Sequence, residues 1–163
     1  MNRQRMRGVY VVEFAIVGLL LFILLFGALE MGRLLFTVNT LNESVRRGAR
    51  LAVVCNIQDP VILRKAVFAN SGSTVSTIIG NLDTADIVLR YYDANGAVIT
   101  DPSPAGGFSG IRFVQVSIEN FPFNLMIPVL GRNILLQPFR SVLPRESLGR
   151  HAETGVLPEI TPC

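Results

Sequence analysis

The chain has 163 residues, half of them hydrophobic, and a formal net charge of +3 from fifteen Lys+Arg against twelve Asp+Glu. Arg3, Arg5 and Arg7 supply that excess: the sequence after Gly8 holds twelve basic and twelve acidic residues, which removes the electrostatic footprint of a nucleic-acid binder. One histidine and two cysteines give no His/Cys set with metal-ligand spacing, so no metal or other cofactor is expected.

The first predicted element follows that basic head. Residues 9–29 carry a single charged side chain, Glu13, and as a helix rising about 1.5 Å per residue they cover about 30 Å, the hydrocarbon thickness of a bilayer. A carboxylate set within such a run is costly, by a few kcal/mol on insertion scales, and so marks a functional site that needs a partner. The alternative is that Glu13 lies near enough to the end of the span to reach the headgroups. Orientation does not follow from counting cations, because Arg33, Arg46 and Arg47 fall within about 20 residues of the far end and match the three leading arginines. Two features favour a basic end inside and the remainder outside: the leading arginines abut the apolar run, and both cysteines lie beyond it. A secretory signal cut near Gly27 and Ala28 is the rival reading. It is disfavoured by the bulk of Phe26 and by a run longer than the usual 7–15-residue apolar region of such signals.

Helical periodicity continues past the span. Leu34, Val38, Leu41, Val45, Ala49 and Ala52 recur at three- and four-residue steps, with Asn39, Asn42, Glu43, Arg46, Arg47 and Arg50 on the other faces. One helix over residues 9–54 is therefore predicted, apolar all round in its first half and packed on a globular domain in its second. Glu43 is spaced to reach Arg46 or Arg47, and the arginines read as a solvated face rather than an anion site. Gly18, Gly27, Gly32 and Gly48 each weaken the helix by about 1 kcal/mol relative to Ala, and in the span they permit close helix approach.

Two stretches of this half carry a resemblance. Gly8, four apolar residues, then Glu13 and Phe14 resemble a type IV prepilin cleavage site, in which a basic leader ends in Gly and an acidic residue stands fifth in the mature chain. Ser44-Val45-Arg46-Arg47-Gly48-Ala49-Arg50-Leu51-Ala52 is similar to the Ala/Arg-rich tract of TadE-like proteins, minor pilins of tight-adherence pili. The likeness covers about the first 55 residues, and the sizeable globular part favours the minor type over the much shorter major pilins. It implies a pilin-like α+β fold with residues 1–8 as leader, 9–54 as transmembrane and amphipathic helix, and 55–163 as a periplasmic domain. It further implies that a membrane aspartyl prepilin peptidase cuts between Gly8 and Val9, and that Glu13 pairs with the freed amine of Val9 in a neighbouring subunit. The implied partners are other pilins and pseudopilins, the peptidase and an inner-membrane assembly platform; the implied place is the bacterial inner membrane or a pilus used in adhesion.

Beyond the helix the elements are shorter. Asp59 and Pro60 form a helix start, with a short helix over residues 61–69, and residues 70–77 read as a loop. Residues 87–92 and 97–100 flank Asp93-Ala94-Asn95-Gly96 as a hairpin, since Asn-Gly accepts positive φ. Residues 101–110, with two prolines and three glycines, read as a loop, and alternation makes 111–119 a strand. Residues 121–131, apolar but broken by Pro122 and Pro128, suit a connection covering the sheet. Residues 134–143 suit a further strand, pushed by Pro138 towards an edge or bulge, and the polar tail from Pro144 is expected to be irregular. The result is a small antiparallel sheet packed on the long helix.

A Cys55–Cys163 disulfide would fasten the tail to the end of the long helix in an oxidising compartment, closing a loop worth up to about 4.7 kcal/mol in the chain-entropy model; two unpaired thiols are the other reading. Catalysis finds little support. His151 reads as a solvated tail residue rather than a base, Asp83 and Asp86 lack the acidic companions of a strong divalent-cation site, and no nucleophile elbow or phosphate loop occurs. An uncleaved single-span anchor carrying a small periplasmic binding domain is the second reading, and a membrane-tethered enzyme is the third.

Overall fold

The computed structural model describes residues 3–103, 106–126 and 133–151 together with residues 160 and 163. The uninterrupted apolar and then amphipathic periodicity yields one helix, α1 (Arg3–Val54), followed by a short helix α2 (Pro60–Ala66). The strands are β1 (Ile87–Tyr92), β2 (Phe113–Ile118), β3 (Pro122–Asn124), β4 (Asn133–Leu135) and β5 (Phe139–Pro144). A long N-terminal apolar helix with a small antiparallel sheet is the α+β arrangement expected from the sequence. Two compact units emerge, Met1–Phe36 with Phe123–Ile134, and Thr37–Pro122 with Leu135–Cys163.

In the first unit the apolar side chains of the first half of α1 are largely exposed among the described residues, Val9, Phe14, Leu19, Leu24 and Phe26 among them. The helix is long and apolar enough to cross a membrane, and its most apolar window is not buried within the molecule at all.

The second unit holds the core. From Leu41 onward one face of α1, formed by Leu41, Val45, Ala49, Ala52 and Val53, is buried with Ile62 and Ala66 of α2 and with Val114, Val116 and Ile118 of β2. Gly48 is what lets the three elements meet. A Cβ there would lie 3.0 Å from Ala66 Cβ and 3.1 Å from Val116 Cγ1, so any side chain would have to push α2 and β2 back by a few tenths of an ångström. Strand β2 is central in the order β1-β2-β5, antiparallel to both neighbours, with Val116 opposite Leu89 on one side and Ser141 on the other. Each fully buried Val, Leu or Ile of this cluster contributes about 1.5–3 kcal/mol.

Local chemistry explains where several elements depart from the sequence reading. Helix α2 starts as expected, with Asp59 accepting from the Val61 N–H at 2.8 Å and Pro60 in its first turn. It ends three residues early because Phe68 adopts φ +58°, placing its N–H on Lys65 O while Ala69 N–H reaches Arg64 O. The second arm of the predicted hairpin does not form a strand. Asp93 Oδ1 closes the turn by accepting from the N–H groups of Asn95 and Ala97, and Gly96 takes φ +80°, but Val98 makes only an isolated bridge to Tyr92. Pro102 then lacks a donor, and Asp101 turns back onto the Ser103 N–H. The predicted 134–143 strand is two pieces, β4 and β5, separated around Pro138, and β5 is a sheet edge. Of the predicted connection over residues 121–131, Phe121 joins the core of the second unit, residues 123–126 belong to the first unit, and 127–131 lie outside the described residues.

The tail is also more ordered than expected over residues 147–149, while 152–159 lie outside the described residues. Leu148 is fully buried, and its N–H donates to Val53 O at 3.0 Å; Gly149 N–H donates to Val54 O at 2.7 Å, and Ser147 Oγ reaches the same carbonyl at 3.1 Å. The last carbonyls of α1, which no helical N–H can satisfy, are thus capped by chain almost 100 residues downstream.

Candidate functional site

The segment singled out by sequence is the start of α1. The helix runs unbroken from Arg3 through Gly8 and Val9, so the bond between those two residues lies within helical backbone. Val9, Val12, Glu13 and Ile16 stand three and four residues apart and share one exposed face. Among the described residues Glu13 has no hydrogen bond or ion pair, and it stands as a carboxylate on an exposed apolar face. At Gly8, Gly18, Gly27 and Gly32 an added Cβ would meet nothing within 4 Å, in contrast to Gly48. Packing within the chain therefore does not require glycine at those four positions.

A second carboxylate, which the sequence reading passed over, stands at the other end of the apolar run. Glu30 is the one charged residue in the buried class among the described residues. Both its oxygens accept from Arg33 Nη1, at 2.9 and 3.0 Å, and both also lie 3.3 Å from the Met126 N–H. Arg33 holds the same strand segment from the other side: Nη2 donates to Asn124 O at 3.4 Å, and its guanidinium carbon lies 5.2 Å from the centroid of the buried Phe123 ring. One turn of α1 thus grips residues 123–126 through a carboxylate, a guanidinium and an aromatic face. Hydrogen bonds to charged groups are worth about 1.5–3 kcal/mol each, and the cation–π contact adds about 0.5–1. The i,i+3 spacing of Glu30 and Arg33 was visible in sequence; their partner almost 100 residues away was not.

The cysteines sit in the second unit, bonded to each other with Cα atoms 5.6 Å apart, one residue past the end of α1. Cys163 borders an open groove also lined by Glu43, Arg47, Arg50, Leu51, Val61 and Lys65, and Arg47 stacks 5.1 Å from the Phe68 centroid. Asp83 and Asp86 are engaged in a turn cap: Asp83 Oδ1 accepts from the Ala85 N–H at 3.1 Å, and Asp86 Oδ2 from the Asp83 N–H at 2.8 Å. The Ala85 N–H and the Thr84 hydroxyl hold the Asp83 carboxyl below its ordinary range. His151 is exposed.

Comparison with known proteins adds one positive finding. Residues 8–50 match the family described as TadE-like protein. No curated protein and no solved structure matches the chain. The matched stretch begins at Gly8, includes Glu13 and the whole apolar run, and ends at Arg50 in the amphipathic half of α1.

Proposed function

We propose that this chain, TadE-like over residues 8–50, is a minor pilin or pseudopilin of a tight-adherence pilus: made as a precursor, cut after Gly8, and assembled through its apolar helix into the pilus or its initiating complex. The observation that carries the reading is Glu13, a carboxylate on an exposed apolar helix face with no partner among the described residues, five residues beyond the Gly that opens the family match. Cleavage frees the amine of Val9. A neighbouring subunit's amine paired with Glu13 neutralises two charges inside an apolar bundle, and removing one member of such a buried pair costs about 3–5 kcal/mol, enough to fix the register of joining. The inner-membrane location, the periplasmic place of the globular part and a role in adhesion belong to the same proposal. The oxidising periplasm suits the Cys55–Cys163 bond.

The test is incorporation. Glu13→Ala is expected to reach the membrane at the normal level yet to be depleted from sheared pili or from the assembly complex, and Glu13→Gln to be depleted as well, since it keeps the shape but not the charge. Normal incorporation of both would remove the proposed role of the carboxylate.

The unbroken helix across Gly8 and Val9 favours a second reading, an uncleaved single-span anchor for a small binding domain, in which Glu13 reaches the headgroups and has no assembly partner.

A further inference from the structure

The clasp at Glu30 fixes a level in the first unit. Counting from Val9, about 30 Å of hydrocarbon is used up at Leu29, so Glu30 and Arg33 stand within the next helical turn, about 5.4 Å, which is the depth of the phospholipid headgroups. The Met126 N–H is tied to the Glu30 carboxylate, and so is held at that same level. At this level the unit presents apolar side chains to its surroundings: Leu29 is 47% and Met31 57% exposed on either side of Glu30, and Met126 is 57% exposed. Leu29 and Met31 prolong the exposed apolar run of α1, whose covering in a membrane is lipid.

We infer that the segment ending at Met126 is a foot that rests in the headgroup and upper acyl region of the bilayer, with Glu30 and Arg33 as the residues that hold it there. This rests on the membrane-spanning part of the proposed function. The occupant of the patch is phospholipid. Shallow insertion of exposed apolar side chains beside a cation is the chemistry by which interfacial segments bind, and Arg33, 39% exposed at its side chain, faces outward far enough to meet a lipid phosphate while still bonded to Glu30. The carboxylate is satisfied internally by two donors, so it does not repel that phosphate as a free charge would. The foot gives the segment a second anchor besides the span and thereby restrains rotation of α1 about its own axis.

The experiment places a fluorophore at Met126→Cys, and separately at Leu21→Cys in mid-span, in the full chain with its disulfide intact. The protein is reconstituted into vesicles of phosphatidylethanolamine and phosphatidylglycerol carrying quenchers at either headgroup or deep acyl positions. The foot predicts loss of emission at position 126 with the headgroup quencher, loss at position 21 with the deep quencher, and release of position 126 alone from quenching in Glu30→Ala. Quenching at 21 with none at 126 would overturn the foot and leave the span standing; absence of quenching at both would remove the span and the foot together. Persistent quenching at 126 in Glu30→Ala would overturn the holding role of the carboxylate.

Discussion

The N–H of Gly149 donates to the carbonyl of Val54 at 2.7 Å, joining the last residue of α1 to a segment almost 100 residues later. Leu148 and Gly149 both take positive φ, +48° and +75°, which turns two successive N–H groups onto the helix end. A Cβ at residue 149 would lie 2.6 Å from the backbone nitrogen of Asn56, closer than such atoms approach. Gly149→Ala is therefore expected to destabilise the second unit by about 1–3 kcal/mol, from the strained φ together with the displaced cap. A thermal melt of the full chain in detergent checks this, and an unchanged midpoint would mean that the cap contributes nothing to stability.

Gly48 gives a prediction of opposite character to the glycines of the span. Gly48→Val drives two methyl groups towards Ala66 and Val116 and is expected to cost about 1–3 kcal/mol by overpacking. Gly18→Ala meets nothing among the described residues and is expected not to lower the melting midpoint. Equal midpoints for Gly48→Val and the parent protein would show that the contact between α1, α2 and β2 is looser than the distances imply.

The disulfide closes a loop of 108 residues at the same helix end that residues 147–149 cap. Reduction, or Cys55→Ser with Cys163→Ser, is expected to lower stability by up to about 4.7 kcal/mol, less whatever residual structure in the unfolded chain already restrains that loop. Denaturant titration with and without reductant measures it, and coincident curves would mean that the cap alone fixes the helix end.

Asp83 predicts an acid-side signature. Its folded-state pKa lies below the unfolded value, because the Ala85 N–H and the Thr84 hydroxyl bond its charged form. Its contribution is thus present above the unfolded pKa of about 3.9 and is lost as pH falls through the folded value. Asp83→Asn is expected to lower stability above about pH 4, where the carboxylate contributes, and to change little at lower pH, so that the acid-side fall is flattened. Stability measured against pH in both proteins decides it, and parallel acid limbs would exclude Asp83 as a contributor.

Elements specified by neighbouring residues were legible in the sequence, and those specified by distant ones were not. The apolar run, the i,i+3/i+4 stripe from Leu34 to Ala52, the Asp59-Pro60 start of α2 and the strand β2 each carry their cause within a few residues, and each appears in the structure, although β2 is buried from Val114 through Ile118 rather than alternately. The left-handed Phe68 that stops α2 has no glycine to announce it. The short second arm of the hairpin is set by Pro102 and Asp101 beyond its end. The grip of Glu30 and Arg33 on residues 123–126, and of residues 147–149 on Val53 and Val54, needs a fold to bring the partners together. At the proposed processing and assembly site the residue types were readable, since Gly8, Val9 and Glu13 fall within six consecutive residues. The exposed face they share and the lack of a partner for Glu13 among the described residues required coordinates.

The central claim is that the chain is a precursor cut after Gly8. Its most direct test is the N-terminal sequence of the protein recovered from membranes of cells with and without a prepilin peptidase. The account predicts a start at Val9 that appears only when the peptidase is present. A start at Met1 in both would contradict it and leave an anchored domain whose unbroken first helix is never cut.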